Sequence, residues 1–245
     1  MPAGKKTRTE ADMKKIITAI LTVALALSLA VPAFAEDIEL TVRPSGICAD
    51  GGGLVITDVF NKQLLRGSGE SFSVVAGALA EAGASGEPLG IYRDGAAAEA
   101  YFTNPWAVVK YMDGYAVSDT DADVVRYVAG GIVQTLIVKA AGLSAPTGLA
   151  TDGERLFVAD TGNDRVVAMD KDGSVKALVS GLEGPTGLAW EDGTLYICET
   201  GKNRVVSFKD GKLELAAGKS IPDEDEYAGY ICTKVTAKGN FENGM

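Results

Sequence analysis

The residues that could do chemistry in this 245-residue chain recur at fixed places. An acidic residue closes an apolar run four times, at Asp58, Asp119, Asp160 and Glu199, and a short turn follows that carries Asn61, Asn163 or Lys202. Carboxylates and turn side chains in that pattern would line one face of a rigid scaffold, where binding loops usually sit. The local alternative is that each acid accepts hydrogen bonds from its own turn. Its recurrence in every repeat favours this building role. Arg165 and Arg204 follow the last two turns. They suit either bidentate contacts to an anion or hydrogen bonds to neighbouring carbonyls and the preceding acid. The chain has no His, which excludes a Ser-His-Asp triad, a Cys-His pair and His-ligated zinc or haem.

The remaining chemistry is sparse. Asp119, Asp121 and Asp123 alternate like the start of a calcium loop, but Val124 and Gly130 stand where an EF-hand needs Gly and Glu. Calcium in a looser site is the only cofactor candidate, and otherwise no cofactor is expected. The run Asp223 to Glu226 reads as a solvated loop. No phosphate-binding Gly loop, nucleophile elbow or Cys-x-x-Cys pair occurs. No catalytic residue and no metal ligand set is assigned. Trp106 stands where sister repeats carry Ser or Thr, so it is a candidate for stacking on a ligand; Trp190 reads as core. Cys48, Cys198 and Cys232 are an odd number, widely spread, so no disulfide framework is expected. Cys48 and Cys198 fall at small or apolar positions of the repeat and read as buried.

The elements that must position these groups come from internal repetition. Pro146-Thr147-Gly148-Leu149-Ala150 through Arg165-Val166-Val167 returns 39 residues later as Pro185-Thr186-Gly187-Leu188-Ala189 through Arg204-Val205-Val206. Weaker copies start at Pro44 and Pro105. Each copy reads as four short strands with Asp-Gly and Gly-Asn turns: an apolar strand after Pro-x-Gly, then Leu156 to Ala159, Arg165 to Met169 and Val175 to Val179 in the third copy. Repeats therefore begin near 44, 105, 146 and 185. The long first interval holds Gly90, Phe102 and Asn104, and Gly229, Phe241 and Asn243 repeat that rhythm, so a fifth repeat is expected to begin at residue 244. The segment Ala76 to Ala84 reads as linker, and Ile38 to Val42 alternates like the closing strand of a ring.

The motif Asp160-Thr161-Gly162-Asn163-Asp164-Arg165-Val166-Val167, with its copy Glu199-Thr200-Gly201-Lys202-Asn203-Arg204-Val205-Val206-Ser207-Phe208, resembles the NHL-repeat family. The resemblance covers about residues 44–245. The two earlier copies depart from it: Ala122 and Val124 replace the Asn and Arg, and Gln63 replaces the Arg. It implies an all-β propeller of four-stranded antiparallel blades, four blade lengths of a six-bladed ring. Fold alone does not give function. The expected role is a scaffold that binds a protein, peptide or glycan through Asp58, Asn61, Trp106, Asp119, Asp160, Asn163, Glu199 and Lys202. Two alternatives are a metal-dependent hydrolase or lactonase of the same fold, and a structural spacer in a longer surface protein. Propeller lyases that use His are excluded by composition.

Residues 1–35 read as an extension and a signal peptide, with Met13 as a candidate true start. A basic Met13-Lys14-Lys15, an apolar run Ile16 to Val31 and Ala33-Phe34-Ala35 carry that reading. The run is shorter than the roughly 20 residues of a membrane span, so no insertion after cleavage is expected. Residues 36–245 form the propeller part. Its 18 Lys/Arg against 31 Asp/Glu give a net charge of −13, which repels nucleic acid and anionic lipid. The expected location is outside the cell or on its surface.

Overall fold

The computed structural model describes residues 42–68, 71–79, 83 and 89–218, all within one compact unit that begins at Val42. The expected signal segment, most of the expected strand at Ile38 to Val42, the acidic run at Asp223, Cys232 and the expected fifth repeat at residue 244 lie outside the described residues. The described chain is all β, with four antiparallel sheets arranged as propeller blades. Blade 1 holds β1 (Pro44–Asp50), β2 (Gly53–Asp58), β3 (Gln63–Ser68) and β4 (Ser71–Ala76). Blade 2 holds β6 (Pro105–Tyr111), β7 (Gly114–Asp119), β8 (Val124–Ala129) and β9 (Ile132–Ile137), with a two-residue β5 (Gly95–Ala96) added at its outer edge. Blade 3 holds β10 (Pro146–Thr151), β11 (Leu156–Asp160), β12 (Arg165–Met169) and β13 (Val175–Ser180). Blade 4 holds β14 (Pro185–Glu191), β15 (Thr194–Glu199), β16 (Arg204–Lys209) and β17 (Lys212–Gly218). The only helical elements among the described residues are three-residue 3-10 turns.

Strand periodicity explains the packing. Every blade has two apolar faces, because residues of one strand alternate between the preceding blade and the next. Ala116, Val125 and Ile137 of blade 2 meet Leu149, Leu156 and Val158 of blade 3 in one core. Val55, Leu64 and Ala76 of blade 1 meet Val108, Tyr115 and Val117 of blade 2 in another. Phe157 and Val166 of blade 3 meet Leu195, Ile197 and Val206 of blade 4 in the third. Trp190 stacks on Phe157 in this last core, with ring centroids 5.1 Å apart, as its sequence position suggested.

The inner strands β1, β6, β10 and β14 touch in that order around the axis. Their entries, Pro-x-Gly in β1, β10 and β14 and Pro105-Trp106-Ala107 in β6, are the reason they can. The register slips at the same place in all four, between Pro and the apolar residue three further on, so each entry is a bulge. The glycine in it is a clearance device. A Cβ on Gly46 would lie 2.6 Å from Ala107 Cα, and one on Gly148 would overlap the Thr186 carbonyl oxygen.

Three expectations change. The blade 2 hairpin turns at Met112-Asp113 rather than Asp113-Gly114, because Gly114 is the first residue of β7 and packs against the Val128 carbonyl, where no Cβ fits. Met112 therefore takes the left-handed φ of 50°. The insertion before Pro105 supplies strand β5, which the sequence had suggested only as a repeated rhythm. Cys198 is exposed, not buried. It lies on the side of blade 4 that would face a following blade, while Cys48 is half-buried and burial raises its thiol pKa.

Replacing Gly148 with Ala should destabilise the protein by about 1–3 kcal/mol, the usual cost of forcing atoms into a full site. Gly187→Ala should cost much less, since its nearest neighbour is the Cys198 side chain of its own blade. Urea midpoints of the two variants test the clearance role directly.

Candidate functional site

The four recurrent carboxylates sit at the ends of β2, β7, β11 and β15, and all are completely buried. A buried carboxylate must be paired and hydrogen-bonded to remain charged. Each one accepts a backbone N–H from the linker that enters its own blade. Asp58 accepts from Arg43 at 3.2 Å, Asp119 from Asn104 at 2.7 Å, Asp160 from Ser144 at 2.7 Å and Glu199 from Glu183 at 3.0 Å. Each then takes side-chain donors. Arg165 Nε donates to Asp160 at 2.6 Å and Arg204 Nε to Glu199 at 2.6 Å. Asn163 donates to both Asp160 and the Gly142 carbonyl, and Asn61 donates to Asp58 at 2.6 Å. Lys202 pairs with Glu183 at 2.9 Å and reaches Glu199 at 3.5 Å. The geometry of Asp58 includes its own turn, through Phe60 and Asn61 amides.

Blade 2 compensates its lost Arg in a way that sequence reading missed. Val124 stands at the repeat's Arg position, yet Asp119 still has a guanidinium, from Arg126 Nη1 at 3.1 Å. Arg126 is two residues further along β8 and so on the same face of the strand. It is fully buried, lies against the rings of Phe102 and Tyr92, and also pairs with Asp94 at 2.6 Å. The signal was available: an Arg at strand spacing from the vacated position. The three Asp of the calcium-like run face different partners. Asp119 faces Arg126, Asp121 accepts from Asn104, and Asp123 accepts from the Ala145 amide.

Burial and pairing shift the acids in opposite directions. In Glu199 burial works against the charged form, but Arg204 outweighs it and holds the carboxyl below the usual range. In Asp119 burial dominates over the Asn104 amide and Arg126 and raises the carboxyl. Lys202 is raised, chiefly by its hydrogen bond to Glu183.

Strand pairing puts the start of each inner strand beside the end of its second strand, as in Pro44 with Asp58 and Pro146 with Asp160. The acidic turns and the Pro-x-Gly entries therefore share one end of the blades. At that end the four entries enclose a cleft of about 230 Å³, lined by Ser45, Trp106, Leu149, Thr186 and Leu188 with the intervening backbone. None of its lining residues is ionisable. Thr147 and Thr161 hydroxyls meet at 2.6 Å, as do Thr186 and Thr200 at 2.5 Å, and Thr161 donates to the Pro185 carbonyl. Blade 2 breaks that hydroxyl pattern with Trp106, a residue 43% exposed. The structure thus brings Trp106 to the axis, whereas Asp58, Asp119, Asp160 and Glu199 lie beneath the surface. Asn61 is buried with them, Lys202 is half-buried, and Asn163 is exposed at the turn.

Four-stranded blades around a shared axis define a β-propeller. No protein-family model matches the chain, and no curated protein sequence matches it. Among solved structures it is similar to a virginiamycin B lyase from Staphylococcus aureus bound to quinupristin, with a TM-score of 0.51 at 13% identity over 70% of this chain and 54% of that one. A streptogramin B lyase gives 0.52 at 10% identity over 72% and 56%. A putative gluconolactonase gives 0.52 at 14% identity over 75% and 67%. The chain spans just over half the length of the two lyases, and the likeness shows the fold alone.

Two outcomes follow for the buried acids. Asp160→Ala should cost about 3–5 kcal/mol, because the Arg165 charge loses its buried partner; chemical denaturation reads it. Glu199 has a folded-state pKa below its unfolded value, so its stabilisation is complete above about pH 4.3 and is lost as pH falls through the depressed value. The stability gap between the wild type and Glu199→Gln should therefore shrink on acidification. Asp119 has the opposite sign: its raised pKa favours the folded state as pH falls.

Proposed function

We propose that this chain is an exported NHL-type propeller module that binds a neutral glycan or peptide segment at the axial cleft. The observation that carries the reading is an exposed indole, Trp106, in a cleft whose lining has no ionisable side chain. An indole face and Thr hydroxyls suit a sugar ring or an apolar side chain, which present one flat apolar side and a few polar groups. The cleft is smaller than the about 300 Å³ of a drug-sized site, so it suits one ring or one side chain of a longer partner. The four recurrent carboxylates, the candidates for a base or metal ligands, are committed to linker amides and Arg side chains. Export rests on the basic and apolar pattern of residues 13–35.

The second reading is a metal-dependent hydrolase or lactonase, motivated by the similar propeller described as a putative gluconolactonase. It requires a divalent ion at the site and turnover that a chelator abolishes. The binding reading requires neither.

In a Trp190→Phe background, Trp106 becomes the single indole. Titration with neutral oligosaccharides and with uncharged peptides should change its fluorescence, and Trp106→Ala should weaken binding by about tenfold or more, a loss of ~1.4 kcal/mol. Binding should survive chelator. Fluorescence that does not respond to either class, or lactone turnover that chelator removes, overturns the proposal.

A further inference from the structure

Junctions between successive blades reuse the same two contacts. The first is apolar. The blade ahead offers the residues three and ten positions after its entry proline: Val108 and Tyr115 in blade 2, Leu149 and Leu156 in blade 3, all buried. The blade behind offers the residues eleven and twenty positions after its own entry: Ala116 and Val125 in blade 2, Phe157 and Val166 in blade 3, also buried. The second contact is polar. A threonine in the turn after the buried acid donates to the carbonyl of the next entry proline, Thr120 to Pro146 at 2.8 Å and Thr161 to Pro185 at 2.7 Å. Pro105, Pro146 and Pro185 are all buried.

The two ends of the stack each carry one half of such a junction. Blade 1 has the half that a blade behind it would cover. Its entry Pro44 is exposed, and Ile47 and Leu54 are 62% and 47% exposed. Strand register puts Phe72 and Val74 on the same face, and both are more than half exposed. Four large apolar residues gathered on one face mark an interaction surface, unlike apolar residues scattered singly. Blade 4 has the opposite half. Tyr196 and Val205 are its counterparts of Phe157 and Val166, and both keep part of their surface. Ala189, the counterpart of the buried Ala150, is exposed on the same face. Thr200 stands where Thr120 and Thr161 stand. It shares a hydrogen bond with Thr186 and meets no entry carbonyl among the described residues.

We propose that a second copy of this chain joins the two halves, with blade 1 of one copy packed head to tail on blade 4 of another. Ile47 and Leu54 then lie over Tyr196 and Val205, and the Thr200 hydroxyl of one copy donates to the Pro44 carbonyl of the other. The contact continues the junctions already present inside the chain. It uses the same repeat positions, and the chain itself displays both the apolar face and the polar acceptor that blade 4 fits. Because the two surfaces differ, the contact is heterologous, and each copy has one of each to offer. The inference is independent of the ligand reading and leaves the axial cleft for its own partner.

Sedimentation of the full-length chain over a concentration series tests the contact. Species of two or more chains should dominate by about 100 μM, a modest affinity. Leu54→Arg and Ala189→Arg, both at exposed positions, should each weaken association by about tenfold or more while the circular dichroism stays unchanged. Mixed in equal amounts, the two variants should form a one-to-one pair and nothing larger, since one intact face of each kind remains. Alkylation of Cys198, which lies on the blade 4 face, should slow with rising concentration in the wild type and not in Leu54→Arg. A single-chain mass at about 100 μM overturns the proposal. So does association that Ala189→Arg leaves intact, since blade 4 would then take no part. Alkylation of Cys198 that is slow at every concentration also overturns it, since the chain would then cover that face itself.

Discussion

A carboxylate removed from water and surrounded by donors holds each blade to the chain that enters it. The chain that leads into each inner strand bonds through a backbone amide to the acid at the end of the second strand: Arg43 to Asp58, Asn104 to Asp119, Ser144 to Asp160, Glu183 to Glu199. A charge with no water must keep such partners, since losing one costs more than the bond itself is worth. The constraint thus fixes the height at which every inner strand starts. The other features depend on that height. The Pro-x-Gly bulge brings the inner strands together only if they start level. The turn hydroxyls of Thr120 and Thr161 reach the Pro146 and Pro185 carbonyls of the next blade only then. The axial cleft is the space left between these entries.

Blade 2 shows which part of this arrangement is fixed and which is free. Its repeat has lost the Arg and the Asn, yet the carboxylate keeps a guanidinium, delivered by Arg126 from two residues along the strand. The requirement is a cation against a buried acid, and position in the repeat is secondary. The relocated Arg also reaches Asp94 in the inserted segment, so the extra sequence before blade 2 is tied to the same network. The same blade replaces the entry hydroxyl with Trp106. The departures from the repeat therefore concentrate in blade 2, and one of them places a Trp in the lining of the cleft.

The sheet faces follow a different logic. Apolar faces between blades are satisfied by the next blade and by one linker side chain, Phe102, Leu143 or Leu182. Blade 1 presents Ile47, Leu54, Phe72 and Val74 on its outer side, all exposed among the described residues. Ile47 and Leu54 occupy the positions that Leu149 and Leu156 bury in blade 3. A face of this kind is an edge of the stack rather than a site, because its composition is set by the repeat.

The repeat in the sequence was enough for the fold. Pro-x-Gly, the turns and two-residue alternation fixed the four strands of each repeat, their order and their antiparallel pairing, because these depend on contacts within 40 residues, whereas β5 comes from outside the repeat. The lone failures in blade 3 and blade 4 reading concern exposure: Cys198 is read as buried from its repeat position, but exposure depends on what packs against the blade. The acids were recognisable as a set, and their role as ties was open until the structure showed donors 15 or 16 residues upstream. Arg126 was hidden because a repeat alignment looks at fixed positions, while a salt bridge in a sheet needs only the same face. The cleft was not legible at all. It is assembled from single residues of four entries 39 to 61 residues apart, and only the tertiary packing of the blades brings Ser45, Trp106 and Thr186 around one axis.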